Sequence, residues 1–395
     1  MNDEVIYLDN NATTRVAPEV LEAMLPFFCE RYGNPSSIHR FGGSVAPEIE
    51  KARRHIAELL GAHYRDRDDC ASEIIFTSCG SEGDNAAINA ALAARPERRR
   101  IVSSAVEHPG VLSCLKNWEL RGYEVVLLPV DGLGRLDLGV LERAVNENTA
   151  LVSLMWANNE TGTIFPVREA CRIAHAAGAL FHTDAVQAAG KEFIDVDELN
   201  VDYLSISGHK LHAPKGVGAL FARRGIPFAP LIYGGHQERM RRGGTENVAS
   251  CIGLGEACRI AGAALQDERR ELARLRDKLE AGVLASVPEV HVNGDKAHRL
   301  PNTSSISFKF IEGESILMYL DMHRICASSG SACTTGSLEP SHVLKAMGVP
   351  YSSAHGTIRF SLSKYNTDAD VDRTVEVLPP IVARLREISP YWNGR

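Results

Sequence analysis

The chain has 395 residues, 44% hydrophobic and 24% charged, with a formal net charge of −7. That length accommodates two domains of unequal size, and the acidic balance excludes a dedicated nucleic-acid binder, whose surface would be basic. The acidic start, Met1-Asn2-Asp3-Glu4, lacks the features of a secretory leader, and no run approaches the ~18 uninterrupted apolar residues of a membrane span, so a cytoplasmic location is expected.

In chain order, Val5-Ile6-Tyr7-Leu8 reads as an opening strand, followed by the polar turn Asp9-Asn10-Asn11-Ala12-Thr13-Thr14, too specific in composition to be a linker. Gly33-Asn34-Pro35-Ser36-Ser37 is a second loop. Ile49, Ala52, Ile56 and Leu59 predict a helix over about 47–60 that stops at Gly61. Strands over 73–77, 100–103, 124–128, 150–155, 180–183, 203–206 and 217–222 then alternate with helices over 81–94, 110–121, 138–145 and 167–177. This alternation predicts an α/β fold with a mainly parallel sheet covered on both faces. A long charged helix over 249–285 leads to strands near 304–310 and 356–361 and helices near 313–322, 340–346 and 368–388, which read as a smaller α+β domain. The expected division is a large domain over 15–260 and a small one built from 1–14 and 261–395.

Ligands of such sheets bind beyond the carboxyl ends of the strands, and the polar signals fall there. Ser78-Cys79-Gly80-Ser81-Glu82 joins a strand to a helix: Gly80 permits close backbone approach, Ser81 can cap, and the helix start suits an anion. The same turn reads equally as an ordinary capped helix, and it lacks the GxxxxGK[ST] pattern of a nucleoside triphosphate site. Asp184, just past an apolar strand, suits the protonated ring nitrogen of a pyridine cofactor, or is a helix cap. His108, at another strand end, suits stacking on a flat ring or proton transfer, or is structural. Lys210 follows a buried strand that breaks at Gly208; it suits Schiff-base chemistry, or is a surface lysine at a strand end. Together these groups ask for a planar, phosphorylated aldehyde with a basic ring nitrogen, and pyridoxal 5'-phosphate has all of these features.

The nine cysteines, odd in number and scattered, are not a disulfide framework, and without a CxxC pair no closed metal site is expected. Most read as small buried hydrophobes, Cys326 among them. Cys333 differs. It lies in Ala327-Ser328-Ser329-Gly330-Ser331-Ala332-Cys333-Thr334-Thr335-Gly336-Ser337, small residues unable to pack a core, so an exposed, mobile and reactive thiol is expected there.

The sequence resembles the NifS-type cysteine desulfurases, within the class V aminotransferase group of fold-type I pyridoxal phosphate enzymes. The resemblance runs from Tyr7-Leu8-Asp9-Asn10-Asn11-Ala12-Thr13-Thr14 to Gly356-Thr357-Ile358-Arg359-Phe360-Ser361-Leu362. Its most specific blocks are Ser207-Gly208-His209-Lys210 with Pro214-Lys215-Gly216, and Ser328-Ser329-Gly330-Ser331-Ala332-Cys333. Met155-Trp156-Ala157-Asn158-Asn159-Glu160-Thr161-Gly162 and Ser337-Leu338-Glu339-Pro340-Ser341-His342 look more like the nitrogen-fixation subgroup than the housekeeping one.

The resemblance implies that Lys210 holds the cofactor, Asp184 pairs with its ring nitrogen, Gln187 touches the ring oxygen and His108 stacks on the ring. It implies Gly80, Ser81, Ser207, Gly208 and His209 around the phosphate, with Thr245 reaching the phosphate of a neighbouring subunit and hence a homodimer. The family often has Ala-Thr where this chain has Gly80-Ser81; the hydroxyl is retained. Asn159 and Arg359 would orient the substrate carboxylate. Lys210 and His108 would carry protons, and Cys333 would take sulfur from L-cysteine as a persulfide and pass it to an iron–sulfur scaffold or other acceptor. The alternatives are a selenocysteine lyase, a class V aminotransferase, which would not need Cys333, or a sulfur-delivery subunit with vestigial catalysis. The joint presence of Lys210, Asp184, His108 and Cys333 speaks against the last.

Overall fold

The computed structural model of the chain describes residues 5–62, 70–329 and 340–392. Among them are twelve strands: β1 Ile6–Tyr7, β2 Ile74–Thr77, β3 Arg100–Ser104, β4 Glu124–Leu128, β5 Thr149–Met155, β6 Leu180–Asp184, β7 Tyr203–Ser207, β8 Gly218–Ala222, β9 Val290–Asn293, β10 Thr303–Phe308, β11 Ile325–Cys326 and β12 Thr357–Ser361. Seven form one sheet in the order β2-β8-β7-β6-β5-β3-β4. All run parallel except β8, which is antiparallel to both β2 and β7. Strands β5, β6 and β7 are buried along their whole length, which explains their near-continuous apolar or small-residue runs. The six parallel strands therefore deliver their carboxyl ends to one edge.

The second sheet is antiparallel, in the order β12-β10-β9, and β1 pairs in parallel with β11. The sequence pattern does not anticipate β9, whose four residues Val-His-Val-Asn are too few to show a period. The short helix Pro18–Met24 is likewise not anticipated.

The 39-residue helix Val248–Ser286 joins the two sheets. It is long and apolar enough to cross a membrane, but half of its most apolar stretch is buried within the protein. It packs closely on Ala46–Leu59: a Cβ on Gly255 would stand 2.4 Å from Ala52 Cα, so only glycine is accommodated. Ala249, Leu254 and Ala257 on this helix belong to the core beneath the large sheet, whereas Leu272, Leu279 and Val283 pack with Phe308, Phe360 and Leu8. On this core membership we propose the domain division near 14/15 and 260/261.

Ahead of that helix, Glu238, Arg239 and Met240 all have positive φ, of 46°, 56° and 64°. Three successive non-glycine residues in the left-handed region are costly unless something holds them. The Glu238 carboxylate accepts both guanidinium ends of Arg53, at 2.6 and 2.9 Å, and the Phe76 N–H at 3.0 Å, with both side chains about 5% exposed or less. Glu238→Ala removes the buried carboxylate that takes both guanidinium ends of Arg53, leaving only the half-exposed Glu50 on Nε at 3.2 Å. It should lower unfolding free energy by about 3–5 kcal/mol in a denaturant titration, and a loss below about 1 kcal/mol would show that the pair does not hold this segment.

Candidate active site

A cavity of about 340 Å³ opens at the carboxyl edge of the large sheet. Of the site residues singled out in the sequence that the structure describes, all lie on its wall except Gly208 and Thr245. Gly80 and Ser81 come from the turn after β2, His108 after β3, Asn159 after β5, Asp184 from the last position of β6 and Gln187 just after it, Ser207, His209 and Lys210 from the end of β7, and Arg359 from β12. Gly208 is buried one residue behind, its N–H bonded to Val217 O at 2.9 Å. Thr245 is exposed on the loop before Val248–Ser286. Cys333 lies outside the described residues.

The turn after β2 differs from expectation in its cap. Cys79, not Ser81, is the N-cap of Gly80–Ala94, its Sγ accepting the Glu82 N–H at 3.4 Å. Ser81 falls in the first turn, where its hydroxyl faces Gly110. Gly80 is required by packing: an added Cβ would stand 2.7 Å from Val186 Cγ2.

Lys210 Nζ donates to two main-chain carbonyls, Ala12 O at 2.7 Å and Asn11 O. The polar turn over 9–14 thus forms the roof of the lysine. It is tied to the large sheet by Thr14 N–H to His209 O at 2.9 Å, and to the small one by Asn11 Nδ2 to Thr303 Oγ1 at 2.8 Å. Arg359 is buried; its Nη2 donates to Asp9 Oδ1 at 2.8 Å and its Nη1 to Asn159 O at 3.1 Å, while Nε has no hydrogen-bond partner. Asp9 is a site residue that the motifs did not single out. Its signal was the density of donors and acceptors in the 9–14 turn.

Three further wall atoms are buried without a hydrogen-bond partner, Asp84 Oδ1, Ser207 Oγ and Gln187 Oε1; Gln187 Nε2 donates to Asn11 O at 3.1 Å. A hydroxyl and an amide oxygen left unpaired in a cavity are polar groups awaiting a ligand. His108 Nδ1 accepts the Gly110 N–H at 3.0 Å, so the proton of the neutral ring sits on Nε2.

Burial dominates the electrostatics. It pushes Asp184 upward, opposed by His108, the Val186 N–H and Lys210. It lowers His108, with Lys210 and His342 acting in the same direction, and lowers His209 to about 4, with help from Lys210 and Lys215. Beneath the wall, His182 is lowered to about 3 by burial alone. Glu107, whose Oε1 accepts Ser104 Oγ at 2.6 Å and the Met155 N–H at 3.1 Å, is raised by burial to about 8.

Both flanks of the segment that carries Cys333 are anchored beside the cavity. Ser328 exchanges main-chain hydrogen bonds with Arg359, at 3.2 and 2.6 Å. On the far side Ser341 Oγ donates to the buried Glu160 at 2.5 Å, and His342 Nε2 donates to Glu107 O at 3.0 Å. Among the other described cysteines, Cys114, Cys171, Cys251 and Cys258 are buried as expected. Cys326 is only half-buried, because in its two-residue strand Ile325 takes the position facing the smaller core and Cys326 the opposite one.

The family description Aminotransferase class-V matches residues 6–374. The chain belongs to the aminotransferase class-V family. Cysteine desulfurase 2 of Trichormus variabilis is 57% identical over 391 residues, covering 99% of this chain and 96% of its own. Cysteine desulfurase NifS of Azotobacter vinelandii is 56% identical over 389 residues, covering 98% and 95%. A solved structure titled as a NifS-like protein superposes with a TM-score of 0.89 at 40% identity, covering 97% of this chain and 100% of that one. The fold is therefore that of the NifS-like class V proteins, a large mainly parallel sheet with a smaller one beside it.

Folded, Glu107 holds its proton to about pH 8, whereas an ordinary glutamate releases it near 4.5. Its contribution to stability is therefore complete below pH 4.5 and is lost as the pH rises through 8. Glu107→Gln should be more heat-stable than wild type at pH 9, with the difference shrinking at pH 6. Melting curves at the two pH values check this, and a pH-independent difference would contradict it.

Proposed function

We propose that the protein is a pyridoxal 5'-phosphate-dependent cysteine desulfurase, a cytoplasmic homodimer that converts L-cysteine to L-alanine and loads the sulfur on Cys333 as a persulfide. The sulfur then passes to an acceptor protein for iron–sulfur cluster assembly, in the nitrogen-fixation subgroup. One observation carries this reading: Lys210, Asp184 and the unpartnered Ser207 hydroxyl line one cavity in a chain whose near-full-length relatives are named cysteine desulfurases.

The donor set suits the cofactor. Ser207 Oγ lacks a partner, and Gly80, Ser81 and His209 share its cavity wall at a helix start, with Gly208 behind them, a set that suits a phosphate. Gln187 Nε2 gives one N–H to Asn11 O and has a second N–H to donate to a ring oxygen, and Asp184 is a carboxylate for a pyridine nitrogen. Thr245, exposed on its loop, would reach the phosphate held by a second copy. When bound, pyridoxal 5'-phosphate supplies an electron sink for charge developed at the substrate α-carbon.

The remaining work belongs to the chain. Lys210 anchors the cofactor through Nζ and, once displaced, moves a proton there. His108 has Nε2 as its exchangeable site, because Nδ1 is engaged by Gly110. Asn159 and Arg359 orient the substrate carboxylate, with Asp9 fixing the guanidinium from behind. The Cys333 thiolate forms an S–S bond to the substrate sulfur as the C–S bond breaks; the electron pair stays with carbon, and protonation completes alanine.

The purified protein should be yellow and release alanine from L-cysteine. Lys210→Ala should abolish the visible absorbance and cut kcat on the order of 10³-fold or more. A Lys210→Ala enzyme that releases alanine at the wild-type rate would refute the assignment.

A further inference from the structure

Three carboxyl groups are buried together at the carboxyl edge of the large sheet: Asp184 at the end of β6, Glu107 after β3, and Asp84 on the first turns of Gly80–Ala94. The function proposed above uses only Asp184. Asp84 is 1% exposed, lines the same cavity, and leaves Oδ1 without a hydrogen-bond partner. An isolated buried carboxylate is costly unless a cation or several donors face it.

The groups around Asp84 do not meet that need. From β7, Ser205 gives it a hydrogen bond, and the same residue is the register partner of Asp184 on β6. From β6, His182 Nε2 approaches Oδ1 at 3.5 Å, but both ring nitrogens are already engaged by hydroxyls, Nδ1 with Ser153 at 2.9 Å and Nε2 with Ser205 at 3.0 Å. His182 is deeply buried and neutral at physiological pH, so it offers no countercharge. Asp184 faces Asp84 with charge of its own sign, Glu107 offers only a second carboxyl that holds its proton to about pH 8, and the thiols of Cys79 and Cys114 are the other titratable neighbours. Lys210 and the His108 ring act on Asp184 instead.

We propose that Asp84 is a positioning residue that stays protonated as a neutral acid and so leaves the negative charge of the cluster on Asp184. Its role toward a cofactor ring nitrogen rests on the function proposed above. Burial and the neighbouring Asp184 raise Asp84 well above the usual carboxylate range, in line with this assignment. An ionised Asp84 would push the proton onto Asp184 and remove the charge that a protonated ring nitrogen requires. The sequence gives no hint of this, because Asp84 lies inside a helical run that reads as ordinary.

Infrared spectroscopy of the holoenzyme tests it. With aspartate carboxyls ¹³C-labelled, wild type at neutral pH should show a carboxylic-acid C=O band that shifts with the label, persists in Asp184→Asn and is absent from Asp84→Asn. In a pH titration of the visible absorbance, the acid midpoint of Asp184 should move by less than about 0.3 unit in Asp84→Asn, whereas removing an ionised neighbour would lower it by about 1 unit or more. A labelled wild type without that band, a band retained in Asp84→Asn, or a lowered midpoint each overturns the proposal. If Asp84→Asn does not fold, the labelled wild type and Asp184→Asn still decide it. A protein that binds no pyridoxal 5'-phosphate refutes the proposed function but leaves the infrared result readable.

Discussion

Much of the site depends on one polar turn. Residues 9–14 roof Lys210 with two main-chain carbonyls, give Arg359 its carboxylate partner through Asp9, and accept the Gln187 amide at Asn11 O. The turn makes these contacts while bonded to β12 by Asn10, to β10 by Asn11 and to the end of β7 by Thr14. The lysine and the arginine come from different sheets, so their separation is set by how this turn spans both. A hydrogen-bonded turn with nearly every polar group used is a stiff spacer, and stiffness is what a site needs when catalytic groups must be held within fractions of an ångström.

The second organising fact is how few charges the buried cluster retains. His182 and His209 are driven neutral by burial, His108 is lowered, and Glu107 and Asp84 are raised. Burial raises Asp184 as well, but of the three carboxyls it alone has Lys210 and His108 opposing the rise, and hydroxyls from Ser104, Ser153 and Ser205 satisfy the neutral groups around it. In a medium of low polarity such economy localises charge where it is useful, because each uncompensated ion would otherwise shift its pKa and neutralise.

The α/β alternation and the strand-end positions of Gly80, His108, Asp184 and Lys210 were legible because each follows a buried apolar run whose period shows in the sequence. The convergence of these strand ends on one edge then follows from the parallel sheet. Other features were not legible. Cys79 caps where Ser81 was expected, since the choice depends on φ and ψ at that turn rather than on residue preference. Asp9 pairs with Arg359 across 350 positions, and β9 is too short to have a period. The left-handed run at Glu238–Met240 depends on a salt bridge to Arg53, 185 positions away. Local pattern carries no information about such partners.

In the proposed reaction sulfur leaves L-cysteine and comes to rest on Cys333. Mass spectrometry of peptides from protein incubated with L-cysteine, without reductant and trapped by alkylation, tests it most directly. One added sulfur is expected on the Cys333 peptide, and none when Lys210 is replaced by alanine. Alanine released while Cys333 remains unmodified would contradict it.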